Sequence, residues 1–354
     1  MISLPDPAAL FAMMSHAPSL SFTLPDFDPI VHIGPFPLQL GPLAIRWYAL
    51  AYLAGIGLGW FYAQRLLKQD SLWQWTAPPL APIKFDDLIL WLALGVILGG
   101  RLFYVFVYNL GETLSNPLSV FTVWNGGMSF HGGFLGVCVA GILYARAEKL
   151  SKTQILNLGD ILATVAPIGL GLGRLANFIN GELWGRPTDV SWGVVFCNAH
   201  IRAQNEGTCG LAGQVARHPS QLYEAGLEGV VLLALTYFLG QRFKLFKRPG
   251  LIWGAFMVGY GLSRMALEQV RNPDPQMPDF LKGYVTMGLI LSLPMVLAGA
   301  WLINQAIKAP PLQPLILSPA ASPIKAMETP ESSAPLPEKT AKRASKPVLE
   351  SKED

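Results

Sequence analysis

Seven stretches of the chain are apolar enough and long enough to cross about 30 Å of hydrocarbon as helices. They are Leu43–Leu67, Asp87–Asn109, Phe130–Arg146, Leu156–Ala176, Leu222–Gly240, Leu251–Leu267 and Gly283–Ala306. Glycine is frequent inside them, as membrane helices tolerate. The third is the shortest and opens on polar Ser129 and His131. Buried helices of a soluble protein would account for one or two such runs, not seven. The pattern predicts an all-α polytopic membrane protein with about seven transmembrane helices. A small periplasmic head, residues 178–220, separates spans four and five.

Lysine and arginine orient the spans. Residues 1–45 and the segment Leu110–Phe130 contain neither. The segments after spans one, three and five are basic: Arg65, Lys68 and Lys84; Arg146, Lys149 and Lys152; Arg242, Lys244, Lys247 and Arg248. This alternation predicts an outside N-terminus and a cytoplasmic C-terminus. Residues 1–40 read as a periplasmic extension, 41–306 as the seven-span domain, and 307–354 as a Pro-rich, disordered cytoplasmic tail. No cleavable signal peptide is evident, because Met1–Leu40 lacks a basic start and contains Pro5, Pro7 and Pro18. The Leu10–Met14 patch could rest on the membrane surface.

Composition sharpens this. Only 14% of the 354 residues are Asp, Glu, Lys or Arg, and 51% are hydrophobic. Soluble domains average about 25% charged residues. An ordinary cytosolic enzyme and a wholly disordered chain are both excluded. The net charge of +3 is too small for a nucleic-acid binder, and no basic stripe appears.

A charge inside a membrane helix is costly and is a functional candidate by default. Arg101, Arg174, Arg264 and Glu268 sit in or at the ends of spans. Arg174 and Arg264, with Arg46, Tyr48 and His131, can share one depth in the outer leaflet. The plainer reading is that each arginine snorkels separately to the interface. Arg174 and Asn177 lie three apart, on one helical face. Tyr260, Arg264, Glu268 and Arg271 also share a face. Arginine suits phosphate, because its planar fork donates two parallel hydrogen bonds. An Arg264–Glu268 pair within one helix is the alternative use of that face.

In FHGGFLG, the two glycines after His131 let a substrate or another helix approach the imidazole. Histidine suits acid–base work at neutral pH, although a histidine at a membrane boundary also serves structure through hydrogen bonds. The run GLGLGRLANFINGELWG, Gly169–Gly185, gathers Arg174, Asn177, Asn180 and Glu182 where the backbone leaves the membrane. It lacks the GK[ST] of a P-loop. No HExxH or paired-cysteine motif supports a metal site.

The sequence resembles the bacterial phosphatidylglycerol–prolipoprotein diacylglyceryl transferases. The matching elements are IGPFPLQLGPLAIRWYAL, GGRLFYVFVYN, MSFHGGFLG, GRLANFINGELWGRPTDVSWGVVF, RHPSQLYEA and GYGLSRMALEQVRNPD, in order from about Val31 to Trp301. The resemblance implies seven transmembrane helices with a small periplasmic head, and would place the outside N-terminus in the periplasm and the C-terminus in the cytoplasm, across a bacterial inner membrane. It implies transfer of a diacylglyceryl group from phosphatidylglycerol to the lipobox cysteine thiol of a prolipoprotein signal peptide, with release of glycerol 1-phosphate. The partners are then those two substrates and membrane lipid, with no cofactor, metal or nucleic acid. His131 matches the family histidine proposed as general base, and Tyr48 an essential tyrosine. Arg174 and Asn177 match the essential pair of the central block, followed by Glu182 and Gly185. Tyr260 and Arg264 match the late Tyr–Arg pair, followed by Glu268 and Arg271. Catalysis is thereby expected at His131, Arg174, Arg264 and Tyr48. Phosphatidylglycerol is expected on Arg174, Asn177, Glu182, Gly185, Tyr260, Arg264 and Glu268.

Residues before about Asp28 and the tail beyond about Pro310 exceed what the family needs, and Asn198–Ala216 is less family-like. In that region Cys197 and Cys209 lie 12 residues apart, in a loop expected to face an oxidising compartment. Gly207, Gly210 and Gly213 leave the segment flexible enough to close a disulfide; two free thiols are the alternative. A lipid-binding or transport protein holding an anionic solute on its arginines is a rival function. An intramembrane serine protease would need a GxSxG serine, which the chain lacks.

Overall fold

The computed structural model describes residues 22–23, 32–33, 36–37, 39–40, 43–44, 46–121, 127–198, 201–202, 205–213, 215–272, 287–310 and 312. The Leu10–Met14 patch and nearly all of the expected tail lie outside the described residues.

Each of the seven apolar stretches holds a long helix. They are α1 Trp47–Leu67, α2 Pro82–Phe103, α4 Phe130–Ala147, α5 Lys152–Asn180, α6 Ser220–Arg242, α7 Leu251–Leu267 and α8 Met287–Lys308. A short α3, Leu110–Ser115, lies between α2 and α4. Local chemistry sets the ends. Proline occupies the first position of α2, where its missing N–H costs nothing. Ser129 caps α4 by accepting from the Gly132 amide. Ser151 and Gln154 form a reciprocal capping box on α5, which ends at Gly181 in the left-handed region, φ 68°.

Several expected boundaries move; the fourth stretch, for one, is helical four residues beyond each expected end, over Lys152–Asn180. The first stretch starts as helix at Trp47, because Leu43–Ala44 pairs as strand β5 with β4, Gln39–Leu40. The second starts earlier, at Pro82, since Lys84 and Asp86 fit inside the first turns of the helix. Three further strands are β1 Phe22–Thr23, β2 His32–Ile33 and β3 Phe36–Pro37. β2 and β3 pair antiparallel, and β1 runs parallel to β6, Val194–Val195.

Among the described residues, four helical segments are long and apolar enough to cross a membrane: 82–108, 152–180, 220–242 and 288–308. Two apolar helices, 131–147 and 251–267, are shorter. α1 carries Trp47, Tyr48, Tyr52, Trp60 and Tyr62, the aromatic content of a membrane-interface helix. Large apolar side chains such as Leu53, Phe61, Leu90, Phe134 and Leu297 stand exposed on the helices. An aqueous protein rarely tolerates so much, and a lipid-facing surface requires it. The chain is a helical membrane protein.

The helices pack in pairs: α2 on α4, α1 on α5, and α7 on α8, with α6 laid against α5. Gly95 and Gly99 of α2 face Gly132 and Gly136 of α4 so closely that an added Cβ would strike the opposing backbone. This is small-residue packing, by which membrane helices approach without a hydrophobic drive. α2 touches α1 only sparsely. The two are tied at one end by a core of Ala63, Leu66, Trp73, Phe85, Tyr144, Ile161, Phe246 and Ile252. At that end the buried Asp160 of α5 caps α7 from outside. Its carboxylate accepts from the amides of Gly250 (2.7 Å) and Trp253 (2.8 Å). Gly250 supplies no side-chain cap of its own.

Candidate functional site

At the opposite end, α5, α6 and α7 bring five charged side chains together. Glu224 and Glu228 lie four residues apart on one face of α6, and their side chains are 1% and 0% exposed. Arg174 of α5 places Nε 2.7 Å from Glu224 and 3.2 Å from Glu228. Arg264 of α7 places Nη1 3.3 Å from Glu224 and 3.8 Å from Glu228. Arg271, just beyond α7, pairs with Glu224 as well. Buried charges survive only when paired and hydrogen-bonded, and each carboxylate here bridges at least two guanidiniums. Three cations over two anions leave a net charge of +1. Arg174 engages both carboxylates through Nε, and no described contact takes its Nη edge. That edge is the fork that matches phosphate.

The end of α5 builds the adjoining wall. The Glu182 carboxylate accepts from Asn177 Nδ2 (3.0 Å) and Asn180 Nδ2 (3.2 Å). Its backbone carbonyl accepts from Gln221 Nε2 at 2.6 Å, and Ser220 Oγ donates to Leu183 O at 3.0 Å. Gly185 then passes between two backbones, donating to His218 O at 2.9 Å and bridging to Arg271. A Cβ there would meet both His218 O and Val270 O. Gly185 therefore acts through the backbone: its close approach fixes the segment that carries Arg271 onto Glu224. Arg186 reinforces this with Nε donating to Arg271 O at 2.8 Å.

Of the expected site residues, the structure gathers Arg174, Arg264 and Arg271 in the cluster. Tyr260 lies in electrostatic contact with both glutamates and both helix arginines. The Tyr48 and Tyr52 hydroxyls are 2.9 Å apart, and Tyr48 interacts with Asn177 and Glu182. His131 is exposed in the first turn of α4, next to buried Gly132 and Gly133. Glu268 is buried with its carboxylate against Gly288 at the start of α8. The ion pairs described for Arg264 run to Glu224 and Glu228 instead of to Glu268, because α6 presents two buried carboxylates to it. Arg101, a charge candidate by position, holds the loop after α3: it donates to Val120 O and Gly127 O, both at 2.9 Å, and to Ser119 O.

Glu224 and Glu228 were not anticipated from the sequence. The signal was present, since two carboxylates four apart interrupt the apolar run Leu222–Gly240.

Above the site, Val194, Phe196, Ile201, Phe178 and Trp184 form a small separate core. Asn198 seats it on α5 by donating to Ile179 O at 3.1 Å. Cys197 and Cys209 are disulfide-bonded, with Cα atoms 5.0 Å apart. Burial pushes the pKa of the Arg217 guanidinium below its ordinary value. Among the described residues, no group of three or more His, Cys, Asp or Glu side chains is placed to hold a metal ion.

Fold and site together define a helical membrane protein with a buried, net-cationic arginine–glutamate cluster at one end of the bundle. The chain belongs to the prolipoprotein diacylglyceryl transferase family, whose model matches residues 35–305. It is 53% identical over 292 residues to the phosphatidylglycerol–prolipoprotein diacylglyceryl transferase of Caulobacter vibrioides, covering 81% of this chain and 95% of the relative. It is 50% identical over 299 residues to that of Phenylobacterium zucineum, covering 84% and 99%. With that of Agrobacterium fabrum it shares 48% over 278 residues, covering 78% and 94%.

Proposed function

We propose that this protein transfers the diacylglyceryl group of phosphatidylglycerol to the lipobox cysteine of prolipoproteins. The cysteine sulfur forms a bond to the glycerol carbon, the C–O bond to phosphate breaks, and glycerol 1-phosphate leaves with the electron pair. The thiol proton must go to a base, because the thiolate is the nucleophile and a free cysteine has a pKa of about 8.5. His131 is the base on this reading; its support is the imidazole at the start of α4, before two glycines.

The observation that carries the proposal is the +1 cluster of Arg174, Arg264 and Arg271 over Glu224 and Glu228. Negative charge grows on the phosphate oxygen as the C–O bond breaks. Preorganised guanidiniums in a dry site stabilise it by several kcal/mol without rearranging. The two glutamates hold the forks in place and reduce their charge enough to be buried. Asn177, Glu182 and Gly185 shape the wall beside the headgroup, with Tyr48, Tyr260 and Glu268 completing the lining.

On this reading seven helices span the bacterial inner membrane. The N-terminus, the cluster and the 178–220 head face the periplasm; the core around Trp73 and Phe246 faces the cytoplasm. The basic segments after spans one, three and five support that orientation.

The test is purified protein in vesicles with labelled phosphatidylglycerol and a lipobox peptide. A thioether-linked product and released glycerol phosphate are expected. Saturable lipid binding with no product would favour transport or lipid binding instead.

A further inference from the structure

A groove opens between α1 and α2 where the two helices barely touch, lined by Ile56, Gly57, Trp60, Asp86 and Ile89. Its walls are apolar except for Asp86, a half-buried carboxylate about one turn into α2. Among the described residues, no cation is ion-paired with Asp86. Trp60 Nε1 (2.5 Å) and Gln64 Nε2 (2.7 Å) both donate to its Oδ1, and both are neutral. Both described hydrogen bonds to Asp86 use Oδ1, and none is described to Oδ2. The nearest lysine in sequence, Lys84, is turned to Glu148 (2.9 Å) and Asp87 (3.9 Å). An uncompensated carboxylate on a lipid-side wall is expensive unless something cationic arrives.

The face of α1 that continues beyond the groove indicates what arrives. Tyr52, Leu53, Ile56 and Trp60 share one face of α1, and Tyr52 joins Tyr48 at the edge of the site. Tyr48 to Trp60 is 12 residues of helix, about 18 Å at 1.5 Å per residue. A signal peptide carries a basic n-region, then an apolar h-region of about 7–15 residues, then its cleavage segment. As a helix that h-region measures about 10–22 Å. An apolar helix of that length, cationic at one end and presenting a thiol at the other, matches Asp86 in charge and matches in span the face of α1 from Trp60 in the groove to Tyr48 at the site.

We infer that the α1–α2 groove seats the h-region of the prolipoprotein signal peptide, with Asp86 as counter-charge to its basic n-region. The inference rests on the transferase reading above and on its orientation, which puts Asp86 toward the cytoplasm and Tyr48 toward the periplasm. The pairing fixes the depth of the peptide, and so the height of its cysteine at the arginine cluster.

Two lipobox peptides that differ only in lysines or glutamines in the n-region test it, with the full-length protein in phosphatidylglycerol vesicles. The lysine peptide is expected to show a KM about tenfold lower, equivalent to about 1.4 kcal/mol. Asp86→Asn should raise the KM of the lysine peptide to that of the glutamine peptide. Asp86→Lys should shift the preference to a peptide with glutamates there. A disulfide cross-link from Ile56→Cys to a cysteine placed beside the n-region should form with the lysine peptide in preference to the glutamine peptide, whether or not the Asp86 variants fold. Equal KM values on the wild type, a lysine preference that survives Asp86→Asn, or no cross-link with either peptide would overturn the inference. Turnover of both peptides at equal KM sinks this inference alone, whereas no thioether product from either sinks the transferase reading.

Discussion

At the scale of single residues, the site depends on geometry that charge alone does not supply. Arg174→Lys keeps the cation but loses the planar fork, which holds Glu224 and Glu228 on one side and presents Nη atoms on the other. Transfer should fall by about 10²–10³-fold, the usual loss when one preorganised donor is removed. Turnover near wild type would argue against direct phosphate recognition. His131→Ala should cost about 10²–10⁴-fold, the range for a lost general base, while lipid binding persists. If the purified variant turns over normally, the thiol proton goes elsewhere, with Tyr48 the next candidate. The glutamates act differently. Glu224 pairs with three arginines and Glu228 with two. Glu224→Gln should therefore destabilise more, by about 3–5 kcal/mol for a broken buried network. Thermal unfolding in detergent gives the order, and a larger loss in Glu228→Gln would contradict it.

At the scale of elements, the apolar runs revealed the helices and their order because membrane spans are continuous and long. Their ends were less legible. A two-residue strand pair at Leu43–Ala44 leaves no hydropathy signal. A polar residue such as Lys84 is compatible with a helix start as well as with a loop. The cost of intramembrane charge singled out Arg174 and Arg264 as candidates. The same reasoning singled out Arg101, for which the structure describes hydrogen bonds to loop carbonyls distant in sequence. It also passed over Glu224 and Glu228, because Leu222–Gly240 was read for hydropathy and not for what would neutralise the arginines opposite. Contacts between helices are the information a single sequence withholds. Asp160 is a further instance: nothing near it in sequence shows that it caps α7, 90 residues away. Asp160→Ala should leave the Gly250 and Trp253 amides unsatisfied and reduce stability by about 2–3 kcal/mol. α7 carries Arg264 at its far end, so activity measured well below the unfolding temperature should be retained if capping is the only role of Asp160. Loss of activity without loss of stability would assign Asp160 to the chemistry.

At the scale of the whole molecule, the residues assigned to the site end before the chain does. The last helix, α8, closes at Lys308, and the family match closes at residue 305. Every residue assigned to the site lies between Tyr48 and Arg271. α8 contributes by packing along α7 and by placing Gly288 against Glu268. Arg248 ties its C-terminal turn down by donating to the carbonyls of Ala306 and Ile307, both at 3.0 Å. A truncation should therefore keep those carbonyls and the whole of α8. Ending the chain after Pro314 does so, and removes a segment rich in proline and mixed charge with no apolar periodicity. The truncated protein should insert normally and retain kcat/KM within about twofold, since every helix and every residue assigned to the site is kept. Ending it before Arg248 can engage α8, at residue 305, should instead loosen the α7–α8 pair and lower the unfolding temperature. Loss of specific activity in the Pro314 truncation, at normal stability and insertion, would show that the tail takes part in catalysis or in substrate delivery.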